Sequence, residues 1–263
     1  MHSILEEIVA AKRTEVAERK RKTPLEQLKS RIKSTVPERD FYGALSLPGR
    51  VNIIAEIKRA SPSRGIICRE FDPVRTAKEY TAAGAAAISI LTEVKYFQGD
   101  LEYLQAVRAV TNLPLLRKDF IIDPYQVYEA KVYGADAILL IAALLSADEI
   151  KEFSRIASSL GLECLAEVHS QEEMDKALAS SCRLIGINNR NLNDFSLDLN
   201  ISRTLYTKVP HGKTVVIESG IKNGKDIAGF MKLGIHAFLI GETLMQSPDI
   251  GKTMKELTGA SQS

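Results

Sequence analysis

Cysteine is scarce in this sequence: Cys68, Cys164 and Cys182 are the only three. An odd number without metal-binding or redox spacing argues against a disulfide framework and points to reduced thiols in a cytoplasmic protein. Net charge is nearly absent, +2 at pH 7, so no strong field draws the chain to nucleic acid or to a membrane surface. The short run Lys20-Arg21-Lys22 reads as a solvated helix end. Long apolar runs are missing too. The longest, around Ala137 to Leu145, is too short to span a bilayer, and the charged N-terminal segment lacks the apolar centre of a signal peptide. No glycine-rich dinucleotide fingerprint follows an early strand, which counts against an open doubly wound sheet.

What is present is 45% apolar content over 263 residues, a composition and length suited to one large core. Residues 3–20 predict an amphipathic helix. Ser3 is its N-cap, with Glu6 closing a capping box. Ile4, Leu5, Ile8, Val9 and Val16 form an apolar stripe, which Lys12 interrupts. The polar, proline-containing stretch to residue 50 predicts short helix and connection outside the main fold. The expected organisation is therefore a helical extension, 1–50, packed on a catalytic barrel, 51–263.

From Val51 onward the chain alternates. Strand-like runs lie at Ile53–Lys58, Ala86–Leu91, Leu115–Lys118, Ala137–Ile141, Glu163–Val168, Leu184–Asn188, Thr214–Glu218 and Ala237–Ile240. Helical segments between them often close on glycine: Pro73–Ala83, Pro124–Tyr133, Ala147–Leu160 and Asp226–Leu233 precede Gly84, Gly134, Gly161 and Gly234. Start signals stand at Asp72-Pro73, Asp123-Pro124, Ser146 and Ser170. Strand–helix alternation implies a parallel sheet with right-handed crossovers. Eight such units in about 210 residues match a closed (β/α)8 TIM barrel.

In such barrels the chemistry sits at the carboxyl ends of the strands. Strand one ends in Glu56 and Lys58, two apart and so on one face. Strands three, five and seven end in Lys118, Glu167 and Glu218, each two residues beyond an apolar one. Five charges converging on one barrel end are poorly explained by stability, because buried ionic clusters rarely stabilise. Asn188 at the end of strand six is in phase with Gly186 and Arg190, whereas Asn189, Asn191 and Asn193 read as turn formers. Ser219-Gly220 and Gly241-Glu242, after strands seven and eight, suit backbone amides that grip a phosphate. Glu242 fits that role only if its side chain points to solvent. Phe97 and Phe120, with Leu139 and Ile141, suggest a flat apolar pocket. Lys118, near a second cation at Lys58, is expected to lose its proton readily. His169 reads as structural, on the face away from Glu167; His2, His211 and His236 support no metal site. Pro62 and Gly65 make the loop after strand one a lid candidate. Together these features predict acid–base chemistry on a phosphorylated aromatic compound.

The residues Glu56-Ile-Lys58-Arg-Ala-Ser61-Pro62-Ser63, Lys118-Asp119-Phe120, Glu167-Val168, Gly186-Ile-Asn188-Asn189-Arg190 and Glu218-Ser219-Gly220 resemble the indole-3-glycerol phosphate synthases of tryptophan biosynthesis. So does the opening helix from Ile4 to Val16. The resemblance runs from residue 3 to about residue 257. It implies a substrate, 1-(2-carboxyphenylamino)-1-deoxyribulose 5-phosphate, that undergoes ring closure, decarboxylation and dehydration without cofactor or metal. It implies Lys118 as general acid, Lys58 as partner of the anthranilate carboxylate, and Glu167 and Glu56 as bases or electrostatic partners. Asn188, Glu218 and Ser219 would hold hydroxyls and the lysine network. Ser61, Pro62, Phe97, Phe120, Leu139, Ile141, Arg190 and Leu192 would contact the substrate, and Gly220, Gly241 and Glu242 its phosphate. A monomer or weak homo-oligomer is expected. The alternatives are a Schiff-base barrel lyase acting through Lys118 or Lys58, and a barrel that only binds a phosphorylated ligand.

Overall fold

In the computed structural model, residues 4–32, 39–191 and 194–259 are described. Eight parallel strands close in sequence order: β1 (Asn52–Ile57), β2 (Ala87–Leu91), β3 (Leu115–Lys118), β4 (Ala137–Ile141), β5 (Glu163–Val168), β6 (Leu184–Asn188), β7 (Thr214–Glu218) and β8 (Ala237–Ile240), with β8 pairing back onto β1. The expected TIM barrel is therefore the observed one. Alternation divides every strand between two cores. Ile54, Leu116, Leu139, Leu165, Val216 and Leu239 fill the barrel. Ile53, Ile88, Ile138, Ile185 and Ile217 point outward beneath the helices.

Those helices are α4 (Pro73–Ala82), α5 (Glu102–Arg108), α6 (Pro124–Val132), α7 (Ala147–Ser159), α8 (Gln171–Leu178), α9 (Asn200–Tyr206), α10 (Gly224–Met231), α11 (Glu242–Met245) and α12 (Ile250–Thr258). Asp72, Asp123, Ser146 and Ser170 cap their helices through side-chain oxygens, as their positions predict. Boundaries differ by a residue or two. Lys58 lies past the end of β1, and α10 starts before Asp226 because Asn223 is the true cap and Asp226 completes its capping box.

The extension holds α1 (Ile4–Lys22), α2 (Leu25–Ser30) and α3 (Phe41–Leu45). It does more than lie outside the barrel. Phe41 and Leu45 join the interior core near the first residues of the strands, where Asn52 Nδ2 donates to the carbonyls of Leu45 and Leu47 at 3.2 and 2.8 Å. Ile8 of α1 joins the same interior core. The Ser3 cap lies outside the described residues.

Candidate active site

Each of the odd strands turns its last inward residue toward one mouth. Register places Glu167 beside Ile141 and Glu218 beside Asn188. Lys118 Nζ donates to Glu167 Oε2 at 2.7 Å and to Glu218 Oε2 at 3.1 Å. Lys58 Nζ donates to Glu56 Oε1 at 2.6 Å. Small residues make room for these carboxylates. A Cβ at Gly186 would overlap Oε1 of Glu218, and one at Gly241 would overlap Oε1 of Glu56.

The charges face a cavity of about 400 Å³. One wall is apolar: Phe97 and Phe120 stand with ring centroids 6.1 Å apart, near Leu139, Ile141 and Pro62. The other wall carries Ser219, Gly220, Gly241 and the first turn of α11. Ser61, Asn188 and Arg190 also line the space. All of the sequence-predicted site residues thus meet in one cavity except Leu192, which lies outside the described residues.

Three expectations are corrected. Lys118 does not release its proton readily. Burial works in that direction, but Glu167, Glu218 and Glu56 outweigh it and raise its pKa far above the ordinary lysine value. The expected second cation, Lys58, is bound to Glu56 instead. Glu242 does not point away into solvent: Arg64 and Arg190 hold its carboxylate at 2.9 and 3.5 Å. Arg64 belongs to the loop after β1, where Ala60–Ser61 pairs with Gly65–Ile66, so this ion pair ties that loop to the phosphate-side wall. His169 does not face away from Glu167. Two residues on, it shares a side with it, and its Nε2 lies 3.5 Å from Glu167 Oε1.

The two carboxyls on Lys118 are unequal. Burial pushes Glu218 up to about 8 despite Lys118, and the neighbouring charge of Glu167 adds to the rise. Burial would raise Glu167 as well, but Lys118, His169 and a hydrogen bond from Asn188 overcome it and hold Glu167 below the usual carboxylate range. A lone ammonium shared by two buried carboxyls neutralises one and leaves the other to take up a proton.

Several contributors carried no clear sequence signal. Ile4, Leu5 and Ile8 of the extension line the cavity. Glu93 is buried, and its carboxylate accepts the backbone N–H groups of Lys95, Tyr96 and Phe97 at 3.1, 2.7 and 2.9 Å, which sets the Phe97 loop. Asn189, read as a turn former, is fully buried. It donates to the carbonyls of Glu218 and Ser219 and accepts from Ser202 Oγ at 2.7 Å. It thereby braces Ser219, a non-glycine residue at φ +61°.

Solved structures share this architecture at low identity. Thiamine phosphate pyrophosphorylase from Pyrococcus furiosus superposes with a TM-score of 0.60 at 20% identity, covering 79% of this chain and 93% of that one. A chain of the tryptophan synthase α2β2 complex from the same organism gives 0.58 at 14%, covering 80% and 99%. At those identities the likeness concerns the fold alone. Sequence relatives are nearer. Indole-3-glycerol phosphate synthase of Acetivibrio thermocellus is 47% identical, covering 96% of this chain and 98% of its own length. That of Carboxydothermus hydrogenoformans is 48% identical with the same coverage, and that of Desulfotalea psychrophila 47%, covering 98% and 99%. The family model for indole-3-glycerol phosphate synthase matches residues 5–257. The chain belongs to the indole-3-glycerol phosphate synthase family, carboxy-lyases of tryptophan biosynthesis.

Proposed function

We propose that this chain closes the pyrrole ring of 1-(2-carboxyphenylamino)-1-deoxyribulose 5-phosphate with Lys118 as the general acid. The observation that carries this reading is the Lys118 ammonium, held by Glu167 and Glu218 and facing the cavity between an aromatic wall and a glycine-lined wall. The phenyl ring fits between Phe97, Phe120 and the aliphatic wall. The phosphate fits against the backbone N–H groups at Gly220, Gly241 and the start of α11, with Glu242 drawn aside by its arginines.

Lys118 protonates the ketone oxygen as the ring carbon bearing the carboxylate attacks the carbonyl carbon, so that a C–C bond forms and the nitrogen becomes an iminium. Lys58 pairs with the substrate carboxylate until it leaves as carbon dioxide, returning its electron pair to the ring. The new hydroxyl takes a proton from the Lys58 ammonium and departs as water as its C–O bond breaks, and Glu167 or Glu56 accepts the proton from the adjacent CH2, whose electrons form the ring double bond. Asn188, Ser219 and Glu218 hold the hydroxyls and the lysine. A Schiff base on Lys118 requires a neutral amine, and two carboxyls around the ammonium oppose that state.

The test is to incubate purified protein with this substrate, without added metal or cofactor, and follow growth of indole fluorescence. Turnover without borohydride-trapped adduct is expected. A folded protein that gives no indole, or a substrate adduct trapped on Lys118, would overturn the reading.

A further inference from the structure

His169 and Glu173 take part in no step above, yet they are built against the reacting cluster. His169 follows the last residue of β5, and its ring is held at one nitrogen and faces a carboxylate with the other. Nδ1 lies 3.0 Å from Glu173 Oε2, and the same oxygen accepts the His169 backbone N–H at 2.7 Å. Glu173 is itself fixed in the first turn of α8, where its N–H donates to the capping Ser170 Oγ at 3.2 Å. This clamp leaves Nε2 facing Glu167 Oε1 at 3.5 Å. That oxygen is the one Lys118 does not use, since Lys118 binds Oε2.

A neutral imidazole donating from Nδ1 to Glu173 would turn its Nε2 lone pair toward the lone pairs of Glu167. The imidazolium instead presents N–H to both carboxylates. Nε2 is buried and makes no hydrogen bond at 3.5 Å, so the attraction to Glu167 is that of charge. The groups facing the ring are Glu167 on its own strand, Glu173 on α8 and Glu218 on β7, with Lys118 of β3 behind Glu167. Three carboxyls dominate its surroundings. Burial alone would lower the ring's pKa, but the bond to Glu173 and these carboxyls raise it. Among the described residues, Glu218, the other carboxyl on Lys118, forms an ion pair with Lys118 alone, and its Oε1 is buried without a hydrogen-bond partner.

We propose that His169, clamped by Glu173, is a positioning residue that keeps the negative charge of the Glu167–Glu218 pair on Glu167 and leaves Glu218 its neutral member. The inference rests on the reading in which the Lys118 cluster performs the chemistry, and it deepens that reading. Of two carboxyls that both touch Lys118, only the ionised one accepts a proton, and only the neutral one donates. A charge placed behind the cavity, out of reach of the substrate, thereby sets the direction of proton movement within it.

Two readouts test the proposal, the first without turnover. Imidazole 15N NMR of the intact protein should show His169 protonated on both nitrogens at about pH 7, and Glu173→Gln should bring its deprotonation to lower pH. The second readout is the pH profile of kcat. His169→Gln removes a cation from beside Glu167, so that carboxyl ionises at higher pH and the ascending limb moves up. The expected kcat loss near neutrality is about tenfold, with KM within about twofold. Glu173→Gln should move the limb in the same direction by less, and it stands in if His169→Gln does not fold. His169→Lys should restore the limb by returning a cation. A neutral His169 at about pH 7, or a limb that stays in place while only thermal stability falls, would overturn the proposal. If the parent fails to make indole but His169 is doubly protonated, the proposed reaction is at fault and the charge assignment stands.

Discussion

Strand β3 carries two buried charge clusters on opposite faces, and they are built differently. Lys118 points into the barrel toward Glu167 and Glu218, with Lys58 and Glu56 nearby. Its neighbours Arg117 and Asp119 point outward, beneath α1 and α6. There Lys12 lies 2.8 Å from Asp119 and from Glu15, and Arg117 lies 2.9 Å from Asp119 and from Glu129. Arg19 joins Glu129 at 2.9 Å and pairs with Glu15. The outer cluster balances three cations, Lys12, Arg19 and Arg117, against three carboxylates, Glu15, Asp119 and Glu129. The inner one sets two, Lys58 and Lys118, against three, Glu56, Glu167 and Glu218, and the His169–Glu173 pair behind it adds one of each sign.

The consequences are opposite. Outside, burial opposes ionisation, yet Lys12 and Arg117 hold Asp119 far below its ordinary pKa, while Glu129 and Asp119 hold Arg117 above its own. For both Asp119 and Arg117 the surroundings favour the charged state. Inside, one carboxyl is left over and is driven toward its neutral form. A balanced cluster fastens the extension to the strand end that carries Lys118. An unbalanced one facing a cavity keeps a proton ready to move.

The comparison breaks most visibly at Lys118. Lys118→Met should lower kcat by about 10³-fold or more, read as the rate of indole fluorescence growth. Lys12→Met should instead act on stability. It leaves the buried outer cluster one cation short, with Asp119 and Glu129 sharing Arg117, so the unfolding free energy from urea titration should fall by about 3–5 kcal/mol. Turnover per folded molecule should stay within about tenfold of the parent. Glu218→Gln substitutes an amide for a carboxyl already inclined to be neutral, so its stability cost near about pH 6 should be under ~1 kcal/mol while kcat falls about tenfold or more.

That variant also sharpens the pH contrast. The unfolded chain releases the Glu218 proton near the ordinary carboxylate value, and the folded protein keeps it until about 8. Between those values the folded state binds the extra proton, so this group's contribution to stability declines as pH rises. Asp119 behaves oppositely: its contribution is present above the ordinary aspartate value and is lost as pH falls toward its depressed folded value. Urea midpoints between about pH 5 and about pH 8 should therefore decline in the parent relative to Glu218→Gln. The smallest effect is expected at the aromatic wall. Phe97→Ala should raise KM about tenfold and change kcat by less than about threefold.

The barrel was legible because parallel strands buried on both faces read as short apolar runs, and because Asp-Pro starts and glycine stops punctuate the helices between them. The inner cluster was legible because one parity rule applied to the odd strands gathers Glu56, Lys58, Lys118, Glu167 and Glu218. What escaped depends on partners distant in sequence. Lys12 stood out in an apolar stripe, but nothing local names Asp119 as its counter-ion. The proton affinity of Lys118 is raised by Glu167 and Glu218, from two other strands, which outweigh both burial and the neighbouring Lys58. The Glu242 side chain is fixed by Arg64 and Arg190, which only closure of the barrel brings near. The two-residue separation of His169 from Glu167 is itself enough to place them on one side, against the expectation of opposite faces.

The most direct test of the division between anchoring and reacting clusters is to measure indole formation by Lys118→Met and Lys12→Met side by side, each normalised to its folded fraction from urea titration. The account predicts a loss of about 10³-fold for Lys118→Met with the protein folded, and turnover within about tenfold of the parent for the folded fraction of Lys12→Met. Equal losses in the two folded variants would contradict it, because the balanced outer cluster would then belong to the chemistry as much as the inner one.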